Sequence, residues 1–223
     1  VIVQIYGVLT PEDGVMVASL GAQHIGVVVG EQKSTPDEVD FATARAIFAA
    51  LPPQTVKVAL TISTDLAEIE KMVRAVQPDI LHLSSDMDHP DPAAMQTLRR
   101  RLPGLPLMRA ISVAGPESVE AALTFAQVSD YFLLDTKDPA ETVIGATGKI
   151  HDWSISRQIV ERVSLPVILA GGLSPDNVAE AVRVVKPWGV DSNTHTNYPG
   201  QQPIRKDPNR VRRFIHAATT ALE

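Results

Sequence analysis

The amino-acid sequence predicts an α/β fold, a (β/α)8 TIM barrel formed as a single domain over residues 1–223. Three observations predict it. Short β-branched apolar runs alternate with longer segments of helical period along the whole chain. Eight such runs can be counted, the strand number of a barrel. Most of them are continuously apolar, as strands buried on both faces are. The competing architecture, an open doubly wound sheet, carries a glycine-rich first turn. Here that turn reads Gly7-Val-Leu-Thr-Pro11, with no G-x-G-x-x-G.

The strands are expected at residues 1–6, 24–30, 56–62, 79–83, 107–113, 131–135, 167–171 and 188–191. Helices are expected between and after them. The first, 11–20, follows Thr10 as N-cap with proline at its first position. The second, 36–50, follows Thr35 in the same way, with Glu38 placed for a capping box. The third, 65–76, follows Thr64. The rest span 92–101, 116–127, 153–163, 175–185 and 208–222, most of them opening on proline. Two connections, 136–152 and 192–207, are longer than a compact βα unit needs and are marked for function or motion.

Composition narrows the function. Apolar residues make up 44% and aromatics only 4%, so the core is built from Val, Leu, Ile and Ala. A formal net charge of -6 argues against a nucleic-acid surface and leaves room for a local phosphate pocket. Cysteine is absent, which removes disulfides, thiolate metal sites and thiol nucleophiles. No run of about 20 apolar residues suggests a membrane span. The first residues show neither a basic segment nor a cleavage site, so a cytoplasmic location is expected. The six histidines show no metal-motif spacing, and no metal is expected.

In a barrel the site lies at the C-terminal ends of the strands. Leu169-Ala-Gly-Gly-Leu-Ser-Pro-Asp-Asn177 ends a strand on two glycines and leads into a helix. Gly171 and Gly172 form either a tight turn or a cup for a phosphate. Tyr131-Phe-Leu-Leu-Asp135 closes an apolar strand on a carboxylate. Desolvated there, Asp135 has a raised pKa and serves as acid or base; the alternative is an ion pair with Lys137. In Gly145-Ala-Thr-Gly-Lys-Ile-His-Asp-Trp-Ser154, residues Gly145, Thr147 and Gly148 suggest a lid, and the full P-loop pattern is missing. His82, near the end of its strand, and His195, just past the last strand, titrate near neutral pH when unperturbed.

Taken in order, these windows resemble the phosphoribosylanthranilate isomerase family of tryptophan biosynthesis. The resemblance rests on Asp135 at the end of a Leu-Leu-Asp strand and on 145–154, similar to the family's Gly-Gly-Thr-Gly-Lys-x-x-Asp-Trp loop. It also rests on Pro166-Val-Ile-Leu-Ala-Gly-Gly-Leu-Ser-Pro-Asp-Asn-Val178, and on Pro187-Trp-Gly-Val-Asp191 with Lys206-Asp-Pro208. It implies an Amadori-type aldose-to-ketose rearrangement of a phosphorylated sugar derivative, without cofactor, in a monomer or homodimer. It places the general acid at Asp135 and phosphate donors at Gly171 and Gly172. The chain departs from the family at the first strand, where Gln4-Ile-Tyr-Gly7 stands for Lys-Ile-Cys-Gly, so Tyr6 occupies the place of the thiolate base. Tyr6 or His82 is then expected to abstract the proton. The eighth loop, Asp191-Ser-Asn-Thr-His195, replaces the family's Asp-Val-Ser-Ser-Gly, which puts Asn193, Thr194 and His195 around the phosphate. A paralogue with another phosphorylated substrate, or a non-catalytic phosphometabolite-binding barrel, is the alternative.

Overall fold

The computed structural model describes residues 1–85, 90–136 and 151–222. Its strands are β1 Ile2–Ile5, β2 His24–Val29, β3 Glu38–Val39, β4 Val56–Thr61, β5 Ile80–Leu83, β6 Leu107–Ser112, β7 Tyr131–Asp135, β8 Val167–Leu169 and β9 Gly189–Ser192. All pair in parallel, and β1 bonds both β2 and β9, which closes eight of them into a barrel. The two-residue β3 is the ninth. It pairs with Val28 and Val29, whose other edge is taken by β4, and so occupies the edge that β1 leaves when it ends at Ile5.

Eight α-helices surround the barrel among the described residues: α1 Pro11–Ser19, α2 Phe41–Ala50, α3 Leu66–Val76, α4 Pro92–Arg101, α5 Glu117–Ala126, α6 Trp153–Arg162, α7 Val178–Val185 and α8 Pro208–Thr219. Side chains of Thr10, Asp40, Asp65, Asp91, Asp152 and Asp207 accept first-turn N–H groups and cap six of them. None of the described helices is long and apolar enough to cross a membrane.

The second helix corrects the expectation for 36–50. Helix α2 starts at Phe41, capped by Asp40. The Thr35–Glu38 spacing of a capping box is present, but Glu38 is engaged elsewhere: its carboxylate accepts the N–H groups of Gln32, Lys33 and Ser34 at 2.8–3.0 Å. A carboxylate that holds three loop donors is not available to cap. Helices α3 and α7 likewise begin later than expected, at Leu66 and Val178.

Period-two alternation divides each strand between two cores. Val3, Ile5, Ile25, Val27, Leu81, Leu83, Phe132, Leu134, Leu169 and Val190 face the helices. Val28, Val58, Ile80, Met108, Leu133 and Ile168 fill the barrel interior, and Tyr6 belongs to this inner group. The inward parity of β1, β5, β7 and β9 therefore also carries Gln4, His82, Asp135 and Asp191 into the barrel. The apolar outer face anchors each strand while its polar inward residues are delivered to the mouth.

Candidate active site

One cavity opens at the C-terminal ends of β7, β8 and β9, lined by Asp135, Ala170, Gly171, Gly172, Leu173, Asp191 and the segment from Ser192 to His195. It brings together six of the residues singled out from the sequence: Asp135, Gly171, Gly172, Asn193, Thr194 and His195. Gly145, Thr147 and Gly148 lie outside the described residues.

Asp135 is the last residue of β7, and its Oδ1 accepts the N–H of Thr136 at 2.7 Å. Burial raises its pKa to about 7, opposed by that hydrogen bond. Near neutrality the carboxyl is poised between proton donor and acceptor, as general acid–base work requires.

Gly171 and Gly172 follow β8 with φ of +82° and +65°. A side chain at Gly171 would meet Thr136 Oγ1 at 2.5 Å and His151 Nδ1 at 2.9 Å. The turn is therefore glycine for both conformation and space. His151 seals this side: its Nδ1 lies 3.0 Å from Thr136 Oγ1 and its Nε2 lies 2.7 Å from Ser156 Oγ. Burial lowers its pKa to about 4, so it is a neutral clasp between the end of β7 and α6.

The far wall is held by Lys206. Its buried Nζ donates to Asn193 O at 2.9 Å, Thr196 Oγ1 at 3.2 Å and Asn197 Oδ1 at 2.6 Å. Burial pulls its pKa down to about 7, against the charges of Asp191, Asp37 and Asp13. Being surrounded by acceptors favours the ammonium form. The amide of Asn193 is also engaged, because its Nδ2 donates to Asp37 Oδ2 at 2.7 Å. Gly7, at φ +71°, leaves the space that Asn193 Oδ1 occupies. Asn193 thus latches the eighth loop to Asp37 in the segment after β2, and its amide nitrogen is engaged there rather than free for the phosphate the sequence suggested. Thr194 and His195 rim the cavity.

Tyr6 and His82 are placed differently from the expectation. Neither lines this cavity. Both are buried, with Tyr6 Oη 2.6 Å from His82 Nδ1 across the barrel interior. Burial, with the charge of Asp191 adding to it, holds the Tyr6 phenol well above its usual pKa. Burial, then the charge of Arg109, lowers His82 to about 3. A phenol that keeps its proton and an imidazole that refuses one make a tyrosine-to-histidine hydrogen bond. The base expected at one of them is therefore not among the side chains that line the cavity. The ring of Tyr6 fits because Gly26 lies beneath it: any Cβ there would clash with the ring carbons.

Asp191 was missed as a site residue. It is buried and inward-facing on β9, and it accepts Gln4 Nε2 at 3.3 Å. Burial, then the charge of Asp135, raises its pKa well above the ordinary carboxylate value, while the Gln4 hydrogen bond and Lys206 oppose the shift. The signal that marks Asp135, a carboxylate ending an apolar strand, is equally present in Gly189-Val190-Asp191.

The family model for N-(5'-phosphoribosyl)anthranilate (PRA) isomerase matches residues 3–217. The chain belongs to the phosphoribosylanthranilate isomerase family. It is 39% identical over 216 residues to N-(5'-phosphoribosyl)anthranilate isomerase 2 of Methanosarcina mazei, covering 97% of this chain and 93% of that relative. Among solved structures it is similar to phosphoribosyl anthranilate isomerase from Thermotoga maritima, with a TM-score of 0.80 and 26% identity over 98% of each chain. A further isomerase structure of this family, with a TM-score of 0.77 and 25% identity over 98% of each chain, holds reduced 1-(o-carboxyphenylamino)-1-deoxyribulose 5-phosphate. Family membership agrees with the closed barrel and with a cavity at the strand ends, where barrel enzymes act.

Proposed function

We propose that this chain isomerises N-(5'-phosphoribosyl)anthranilate, the aminoaldose phosphate, to the corresponding aminoketose phosphate. The observation that carries the reading is the single cavity in which Asp135, with a pKa of about 7, faces the Gly171-Gly172 turn. The two groups divide the work. The glycine turn lets backbone N–H groups approach the phosphate closely, with Thr194 and His195 at the rim beside it. The bound phosphate then fixes the sugar ring over the barrel axis, which supplies orientation.

Asp135 acts as the acid. Its protonated carboxyl gives a proton to the furanose ring oxygen as the C1–O bond breaks, and the nitrogen lone pair forms C1=N. Partial desolvation of the half-buried Asp135 is what leaves that proton in place near neutral pH, where a fully exposed carboxyl would have lost it. The reaction moves protons only and needs no redox cofactor.

Complementation of a tryptophan auxotroph lacking this isomerase tests the reading. Growth with the wild-type chain and none with Asp135→Asn is the expected result. Absence of growth with the soluble wild-type chain expressed would contradict it.

A further inference from the structure

The reaction needs a second proton-transfer group, and the usual thiolate position is filled by Tyr6, which keeps its proton. Of the described residues lining the cavity, three carry titratable side chains: Asp135, Asp191 and His195. His195 is half-buried at the rim and also lines a separate groove with Arg210 and Arg213, on the outer side of the loop. Asp191 faces inward.

Strand register brings Asp191 towards Asp135. The register partners Leu134↔Leu169, Leu169↔Val190 and Gln4↔Asp191 put Asp135, Ala170 and Asp191 in one row, one step further along the strands. Two strand spacings separate the carboxyl-bearing backbones by about 9–10 Å. Both side chains converge inward from there, and the residue between them is alanine, the smallest side chain that could separate them. Barrel interiors are layered in this way by alternate strands.

We propose that Asp191 is the second proton-transfer group of the reaction, the one that takes the proton from C2 of the substrate. The inference rests on the isomerase reading above. After ring opening, the Asp191 carboxylate accepts the C2 proton; the C2–H electron pair forms C1=C2, and the C1=N pair returns to nitrogen. C1 then takes the proton held by Asp191, while the C2 hydroxyl gives its proton to water, from which Asp135 is recharged. Atoms and charge balance: C2 is oxidised to the ketone as C1 is reduced, both within the substrate, so no external oxidant is needed. The groups facing Asp191 are Asp135 from β7, Gln4 from β1, Tyr6 just after it, and Lys206 from the loop before α8. Burial and then the charge of Asp135 push its pKa upward, while the Gln4 amide and the Lys206 charge favour its ionised form.

The test is steady-state kinetics of the purified full chain with N-(5'-phosphoribosyl)anthranilate, with hydrogen or deuterium at C2. Asparagine keeps the acceptor for Gln4, so Asp191→Asn preserves the local hydrogen bond. The expected result is a kcat lower by about 10²–10⁴-fold with KM little changed, and a primary isotope effect in the residual turnover. If Asp191→Asn does not fold, Asp191→Ser takes its place. A kcat within about tenfold of wild type, or a loss of rate with no isotope effect, overturns the proposal. Wild-type inactivity overturns the isomerase reading and this inference with it. Wild-type activity that is lost in Asp135→Asn but kept in Asp191→Asn overturns this inference alone.

Discussion

At the scale of single residues, burial decides which groups move protons and which are locked. Asp135, half-buried, and Asp191, buried, sit at strand ends, and desolvation pushes both carboxyls upward. Such a site costs stability that function requires. For Asp135 the sign is definite. Its folded pKa is about 7 against an unfolded value of about 3.9, so its contribution is intact below about pH 4 and is lost as pH rises through 7. Asp135→Asn removes that loss. Its Tm is expected to exceed that of wild type at pH 8 and to converge with it near pH 4, measured by thermal unfolding across that range. Tyr6 and His82 behave oppositely, because their hydrogen bond is structural. Tyr6→Phe strands His82 Nδ1, whose ring already has Nε2 buried without a partner among the described residues. A cost of about 1–3 kcal/mol in urea unfolding is expected. Asp135 was legible in the sequence as a carboxylate closing an apolar strand. The tyrosine–histidine bond was not, since it joins residues 76 positions apart across the barrel.

At the scale of elements, close approach between strands sets the interior. Register places Gly26 beside Tyr6, one step beyond Ile5↔Ile25, and the tyrosine ring occupies the space a Cβ would take. Gly26→Ala is expected to cost about 1–3 kcal/mol by overpacking, and less in a Tyr6→Leu background, so a double-mutant cycle in urea should return a coupling energy. The eighth loop depends on one cation: Lys206 Nζ ties Asn193, Thr196 and Asn197 together. Lys206→Met leaves those acceptors without their donor and is expected to speed proteolytic cleavage within 197–205 while raising KM. Most strands were legible from continuous apolar runs, because being covered by helices outside and side chains inside leaves little place for polar residues. The start of α2 was not. Thr35 and Glu38 have capping-box spacing, but strand pairing at β3 and three loop N–H groups claim Glu38 first.

At the scale of the whole molecule, the barrel separates a sealed interior from an open mouth, and this division assigns the chemistry. Tyr6 spans the interior and reaches His82, while Asp135, Asp191 and the Gly171-Gly172 turn share the cavity above. The family was legible because the glycine turn and the Asp135 strand are contiguous in sequence. The second carboxyl and the lysine latch were less so, since their meaning comes from closure of β9 onto β1 and from Lys206 folding back beneath the loop. The most direct test of this division is kcat/KM for N-(5'-phosphoribosyl)anthranilate, measured at pH 7 in wild type, Asp135→Asn and Tyr6→Phe. A fall of at least about 10²-fold in Asp135→Asn, with Tyr6→Phe within about tenfold of wild type, is the result expected. An inactive Tyr6→Phe that still folds, beside an active Asp135→Asn, would contradict it.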